Sequence, residues 1–128
     1  MNACTQVFVT TWCAVRARRV GIRSTELCRL ARECASGLSV RLGARLFKKR
    51  LHGNQHRAII VGAGGGRWVY VFLFAKHDQA DLTTPELVAF RKLSKHYARL
   101  STTQWAALVD AGDLREIDCG RQVQEHRV

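Results

Sequence analysis

Residues 44–76 read ARLFKKRLHGNQHRAIIVGAGGGRWVYVFLFAK, and their periodicity decides the fold. From 44 to 51 the side chains alternate. Leu46, Lys48 and Arg50 share one face of a strand, and Arg45, Phe47, Lys49 and Leu51 share the other. HGNQ, 52–55, is a cluster of turn formers. Residues 56–62 make a second strand, with Ala58 and Ile60 set against Arg57, Ile59 and Val61. GAGGG, 62–66, is a hairpin loop, because only glycine takes positive φ at low cost. RWVYVFLFAK, 67–76, is apolar on both faces and so belongs in the middle of a sheet.

The flanks read as one further strand and helices. QVFVTTW, 6–12, is rich in β-branched and aromatic residues and predicts a first strand. A short basic helix follows to Val20, closed by Gly21. Ser24 suits the N-cap of a second helix. In that helix Leu27, Leu30, Ala31 and Cys34 line one apolar face, and Gly37 ends it. After the polar connection HDQADL, 77–82, Thr83 with Glu86 forms a capping box. The helix it opens turns Leu87, Phe90, Ser94 and Tyr97 inward and Arg91, Lys92, Lys95 and Arg99 outward. Ser101 with Gln104 opens a last helix, with Trp105, Leu108 and Val109 inside and Gly112 as its cap. Residues 114–117 suit one short strand. The fold class is therefore α+β: a small antiparallel sheet with two N-terminal helices packed on it, C-terminal helices, and the helices gathered to one side. The expectation is a single domain over 1–128, with its core at about 6–117 and a mobile tail at 118–128.

Charge is the first functional signal. Lysine and arginine number 21 against 10 acidic residues, a net +11. That balance favours an anionic partner such as nucleic acid. The five cysteines, Cys4, Cys13, Cys28, Cys34 and Cys119, are odd in number and include no C-x-x-C pair. A disulfide framework or a zinc site is not expected from them, and they read as small apolar residues. The N-terminus lacks a basic, uninterrupted signal segment, and no run approaches the roughly 18 apolar residues of a membrane span. A cytoplasmic protein is the expectation.

Familiar catalytic constellations are missing. GAGGG is followed by a strand and not by the helix that a phosphate loop or a dinucleotide fingerprint requires. His52 and His56 have H-x-x-x-H spacing, but they span a strand end and a turn, which suits surface imidazoles better than zinc ligands. No nucleophile elbow and no paired carboxylates stand out. What remains is a basic cluster with a geometry. Lys48 and Arg50 alternate onto one face, a tight turn brings Arg57 back on the neighbouring strand within reach of that face if the pairing register allows, and Lys76 ends the central strand. Such a group can form a phosphate-binding floor, or it can merely solubilise a half-exposed sheet face. Lys49, His52, His56 and Arg67 are candidates for further RNA contacts. The aromatic residues Trp68, Tyr70, Phe72 and Phe74, at period two, read as one stripe of core.

The strands GARLFKKRLHGNQHRAIIVGAGGGRWVYVFLFAK, followed by PELVAFRKLSKHYARL and STTQWAALVDAGDLREI, resemble the RelE/ParE superfamily of bacterial type II toxin–antitoxin toxins. The HigB-like branch is the nearest match. The likeness rests on the basic strand, on the arginine that opens HRAIIV, and on the ending VFLFAK. The resemblance implies a compact antiparallel sheet flanked by helices. It also implies ribosome-dependent cleavage of mRNA without metal or other cofactor. The partners it implies are ribosome, mRNA and a cognate antitoxin, often a helix-turn-helix protein; a membrane is not among them. By position, Lys48, Arg50, Arg57, Lys76 and His77 match the family's catalytic basic residues. Lys48 and His77 are the candidates for the general base. HDQAD lacks the further arginine and tyrosine that some active members carry. A ParE-like gyrase poison, or a catalytically degenerate protein that only binds antitoxin or nucleic acid, are the alternatives.

Overall fold

A computed structural model describes residues 5–120. The elements in order are β1 (Gln6–Thr10), α1 (Thr11–Val20), α2 (Ser24–Ala35), β2 (Val40–Arg41), β3 (Leu46–Leu51), β4 (His56–Gly64), β5 (Arg67–Ala75), α3 (Thr84–Arg99), α4 (Thr102–Asp110) and β6 (Leu114–Ile117). The six strands form one sheet in the order β2-β3-β4-β5-β1-β6. The α+β class is as expected. The sheet is mixed, since β1 runs parallel to β5 while the other pairings are antiparallel. The connection through α1 to β4 allows that parallel pairing, because only a crossover can join parallel neighbours.

The helices are not gathered to one side. Cys13, Ala17, Leu27, Leu30, Ala31 and Cys34 of α1 and α2 pack with Val7, Val9, Leu51, Ala58, Ile60, Trp68 and Tyr70 on a first face of the sheet. Tyr97 and Trp105 of α3 and α4 pack with Phe8, Leu46, Ile59, Val61, Val69 and Phe74 on the second. Each strand of the central hairpin is apolar on both sides for this reason: both sides carry helices. Tyr70 fastens the first layer, its hydroxyl donating to the Leu27 carbonyl at 2.6 Å. β5 lies between β4 and β1, at the centre of the sheet.

The aromatic stripe on β5 is divided by a bulge. Ile59 pairs with Phe72 and Ile60 with Tyr70, so Val71 has no opposite number. The extra residue shifts the alternation. Trp68 and Tyr70 therefore pack on the first face, while Phe72 and Phe74 pack on the second. Smaller departures follow local chemistry. The β1 strand stops at Thr10, whose side chain accepts from the Cys13 amide and caps α1. Arg23, not Ser24, occupies the N-cap of α2, and no side chain caps it. The loop expected at 62–66 shrinks, because β4 continues to Gly64 and only Gly65–Gly66 turn the chain. Both capping boxes expected at Thr83 and Ser101 are formed.

The reading of the cysteines is corrected. Cys28 and Cys119, 91 residues apart in sequence, are joined by a disulfide. It ties residue 119 to α2, so the mobile tail expected from 118 is anchored at its start; its remainder from 121 lies outside the described residues. Cys13 and Cys34 are buried free thiols, and burial pushes that of Cys13 up to about 12. Cys4 lies outside the described residues. Among the described residues no helix is long and apolar enough to cross a membrane.

Candidate RNA-binding site

The turn between β3 and β4 sets the register of the basic residues. His52 (φ 57°), Gly53 (φ 62°) and Asn54 (φ 69°) all take left-handed backbone, which closes the hairpin tightly. Strand pairing then follows as Lys48↔Ile59, Lys49↔Ala58, Arg50↔Arg57 and Leu51↔His56. On the other side of β4, Ile59 faces Phe72 and Arg57 faces Phe74. Two rows cross the second face: Lys48–Ile59–Phe72, and Arg50–Arg57–Phe74. Directly opposed residues lie about 5 Å apart between Cα atoms. Arg50 and Arg57 thus start from neighbouring Cα positions on one face, and like charges opposite each other across a sheet are unfavourable unless an anion lies near them.

Each cation in the cluster has a different environment. Lys48 is largely covered, and its Nζ lies 3.0 Å from Asp81 Oδ2. That hydrogen bond holds the Asp81 carboxyl below the ordinary aspartate range, helped by the Leu82 amide, with the charges of Lys48 and Arg57 nearby. Arg57 donates to the carbonyls of Asn54 and His56, each at 3.1 Å, which braces its guanidinium against the turn. Arg50 is exposed and has no side-chain partner among the described residues. Lys76 follows β5 directly; its amide donates to the Gln55 carbonyl, and its side chain is exposed. His77 extends past it with an 84% exposed side chain, and its Nε2 is 3.3 Å from Asp78 Oδ1. The structure thus brings Lys48, Arg50 and Arg57 together, with Lys76 at the end of the neighbouring strand and His77 reaching out from it.

The other candidates lie elsewhere. Lys49 alternates onto the first face, where its Nζ meets Glu33 Oε1 at 2.8 Å and also donates to the Leu38 carbonyl. That contact lowers the Glu33 carboxyl. His52 and His56 face each other with Nδ1 atoms 3.1 Å apart. His56 is buried, and desolvation, then the charges of His52, Arg16 and His77, push its imidazole down, against a smaller opposing effect of Asp78. Arg67 opens β5 at the far end of the sheet, its guanidinium 5.0 Å from the Trp105 ring centroid. It lies seven positions before Phe74, roughly 20 Å along a strand.

Two participants were not singled out from the sequence. Asp81 belongs to the connection 77–82, which is ordered by hydrogen bonds. Gln79 donates to the Asp81 carbonyl at 2.9 Å and to Glu86 at 3.2 Å, and the Leu82 amide donates to Asp81 Oδ1 at 2.8 Å. An acidic residue in a polar connection carries no local signal of a partner 33 positions away. Trp12 is the second. It is 48% exposed and stacks on Phe72 at 5.2 Å between centroids, at the edge of the same face. The Trp12–Arg16 spacing on a helix was a readable signal, since residues four apart are neighbours.

Compared with known families, residues 5–117 match the model described as the RelE toxin of the RelE/RelB toxin–antitoxin system. No curated protein and no solved structure matches the chain.

Proposed function

The chain belongs to the RelE family of toxin–antitoxin toxins, and on that premise we propose that it is a ribosome-dependent mRNA endonuclease whose chemistry resides on the second sheet face. The observation that supports this most is the opposed pair Arg50↔Arg57 beside Lys48. Two arginines in opposed register, beside a lysine that is paired with Asp81, are an electrostatic cost for a protein that binds nothing there, and an asset for one that holds a phosphodiester.

In this mechanism the ribose 2′-oxygen attacks the adjacent phosphorus and the 5′-oxygen leaves. The products are a 2′,3′-cyclic phosphate and a 5′-hydroxyl. The braced guanidinium of Arg57 and the ammonium of Lys76 stabilise the charge that develops on the non-bridging oxygens. Lys48, in contact with Asp81, lies beside the same phosphate and adds to the positive field there. His77 takes the proton from the 2′-hydroxyl, and the departing 5′-oxygen takes up a proton from water. Asp78 orients it. The ribosome contributes the alignment of the scissile nucleotide, a larger effect than any one side chain. The cognate antitoxin, by the same reading, covers the basic face, and its binding weakens with salt.

The test is translation in a purified system with the toxin added. Messenger RNA cut within ribosome-bound codons supports the reading. Intact mRNA together with inhibited gyrase supercoiling points to the ParE-like alternative. Absence of both effects points to a protein that only binds.

A further inference from the structure

The basic face is bordered, on its β1 side, by one half-exposed indole. Trp12 stands at the entrance to α1 and is nearly half exposed. Its indole stacks on Phe72 with an interplanar angle of 22°. Phe72 is wedged in turn against Phe74 and Phe90, at 5.7 and 5.2 Å. The indole is thus backed by a packed aromatic group and does not hang loose. The rigid support keeps the free face of the indole presented to solvent, where a flat ligand can stack on it.

Its position relates it to the cations. Phe72 occupies the row Lys48–Ile59–Phe72, and its neighbour two residues on, Phe74, faces Arg57. Neighbouring strands lie about 4.8 Å apart, so the indole is within roughly 10–15 Å of the basic cluster, the reach of one or two nucleotides. On its other flank, Arg16 places its guanidinium 5.8 Å from the indole centroid. That is near the outer limit of about 6 Å for such a contact and leaves room on the ring. Arg16 Nε is buried and has no hydrogen-bond partner among the described residues.

We propose that Trp12 is a nucleobase-stacking platform, with Arg16 beside it contacting the phosphate of the stacked nucleotide. This rests on the reading of the basic face as an RNA site, and it identifies the ligand there as single-stranded RNA held by base as well as by backbone. Stacking tolerates any base, because every base offers a π-face, so the platform positions the strand and does not choose its sequence. Lys48, Arg50 and Arg57 hold phosphates on one part of this face, and Trp12 holds a base at its edge.

Intrinsic fluorescence provides the probe. Of the tryptophans, Trp68 (8%) and Trp105 (4%) are buried, so quenching by a ligand reports Trp12. The protein is titrated with a single-stranded RNA hexamer and with the same hexamer made of abasic riboses. The expected result is quenching by the first and none by the second. Trp12→Ala weakens hexamer binding by about tenfold or more, and Trp12→Phe restores most of it. Thermal unfolding of both variants shows whether the fold is kept, and the abasic comparison on the native chain stands whatever those variants do. Equal quenching by the two ligands, or equal hexamer affinity in Trp12→Ala, overturns the platform even if mRNA cleavage is intact. Loss of antitoxin binding with unchanged hexamer affinity also overturns it and assigns Trp12 to a protein interface. Uncut mRNA on ribosomes overturns the endonuclease reading alone, since base-dependent quenching involves no cleavage.

Discussion

Lys48 and Asp81 meet at 3.0 Å, and the contact places a carboxylate on the face expected to hold phosphate. The aspartate comes from a connection that is itself pinned to the start of α3, so its position follows from the fold and not from a chance side-chain rotamer. An incoming phosphate must displace it or sit beside it. In the proposed RNA site, Asp81 competes with the substrate for Lys48.

Replacing Asp81 by Asn removes that competitor. RNA affinity is expected to rise several-fold, with a steeper dependence on salt, because one more ammonium is available to phosphate. The fold loses little, as an exposed ion pair contributes about 0–1 kcal/mol. Filter binding at several salt concentrations checks the first point and thermal unfolding the second. The depressed carboxyl also sets a sign. Its contribution to stability is full above the ordinary aspartate value of 3.8 and is lost as pH falls through the lowered folded value.

Arg50 and Arg57 make opposite demands on stability and activity. Arg50→Gln relieves the like-charge pair and is expected to raise unfolding stability by a few tenths of a kcal/mol, up to about 1. The same change lowers RNA affinity. A residue retained only for packing cannot give a variant that is more stable and less active, so denaturant titration and RNA binding on this one variant separate the two roles.

His56 predicts a pH dependence of stability. Its buried imidazole is pushed below the ordinary value of 6.5, so the folded chain holds it neutral while the unfolded chain takes up a proton. Stability is full above 6.5 and declines as pH falls from there through the lowered folded value. Unfolding midpoints at neutral and mildly acidic pH record the decline, and His56→Leu flattens that part of the profile. An unchanged slope in the variant assigns the pH dependence to another group.

The disulfide between Cys28 and Cys119 closes most of the described chain into one loop. Cys28→Ser is expected to cost about 2–4 kcal/mol of unfolding free energy. Reduction of the unmodified chain should reproduce the loss. Cys13, buried and with its thiol raised to about 12, should resist alkylation until the protein unfolds.

The central hairpins were legible because their residues alternate with period two and end in turn formers. The common face of Lys48 and Arg50 followed from that alternation, while Arg57 joins it only through the cross-strand register that the turn sets. The same rule already separated Lys49, which shares its parity with Phe47 and Leu51, and the structure places it on Glu33. Other features had no local signature. The bulge at Val71 sits in a run of apolar residues with no glycine to mark it, so the aromatic stripe looked continuous. β2 is two residues long, too short for any period to register. The parallel pairing of β1 with β5, the Lys48–Asp81 pair and the Cys28–Cys119 bond join positions far apart in sequence, and each depends on the folded topology. Two helix pairs on opposite faces were implied by the apolar character of β5 on both sides, an implication the expectation of helices on one side did not follow.

Among the cations proposed to cut RNA on the second sheet face, Arg57 is the donor braced against the turn. The most direct measurement is single-turnover cleavage of mRNA on programmed ribosomes by the native chain and by Arg57→Ala, with the product ends identified. The account predicts a 2′,3′-cyclic phosphate and a 5′-hydroxyl from the native chain, and a rate lower by roughly 100- to 1,000-fold in a variant that still folds and still binds its antitoxin. Cleavage by Arg57→Ala at the native rate, or no cleavage by the native chain, would contradict it.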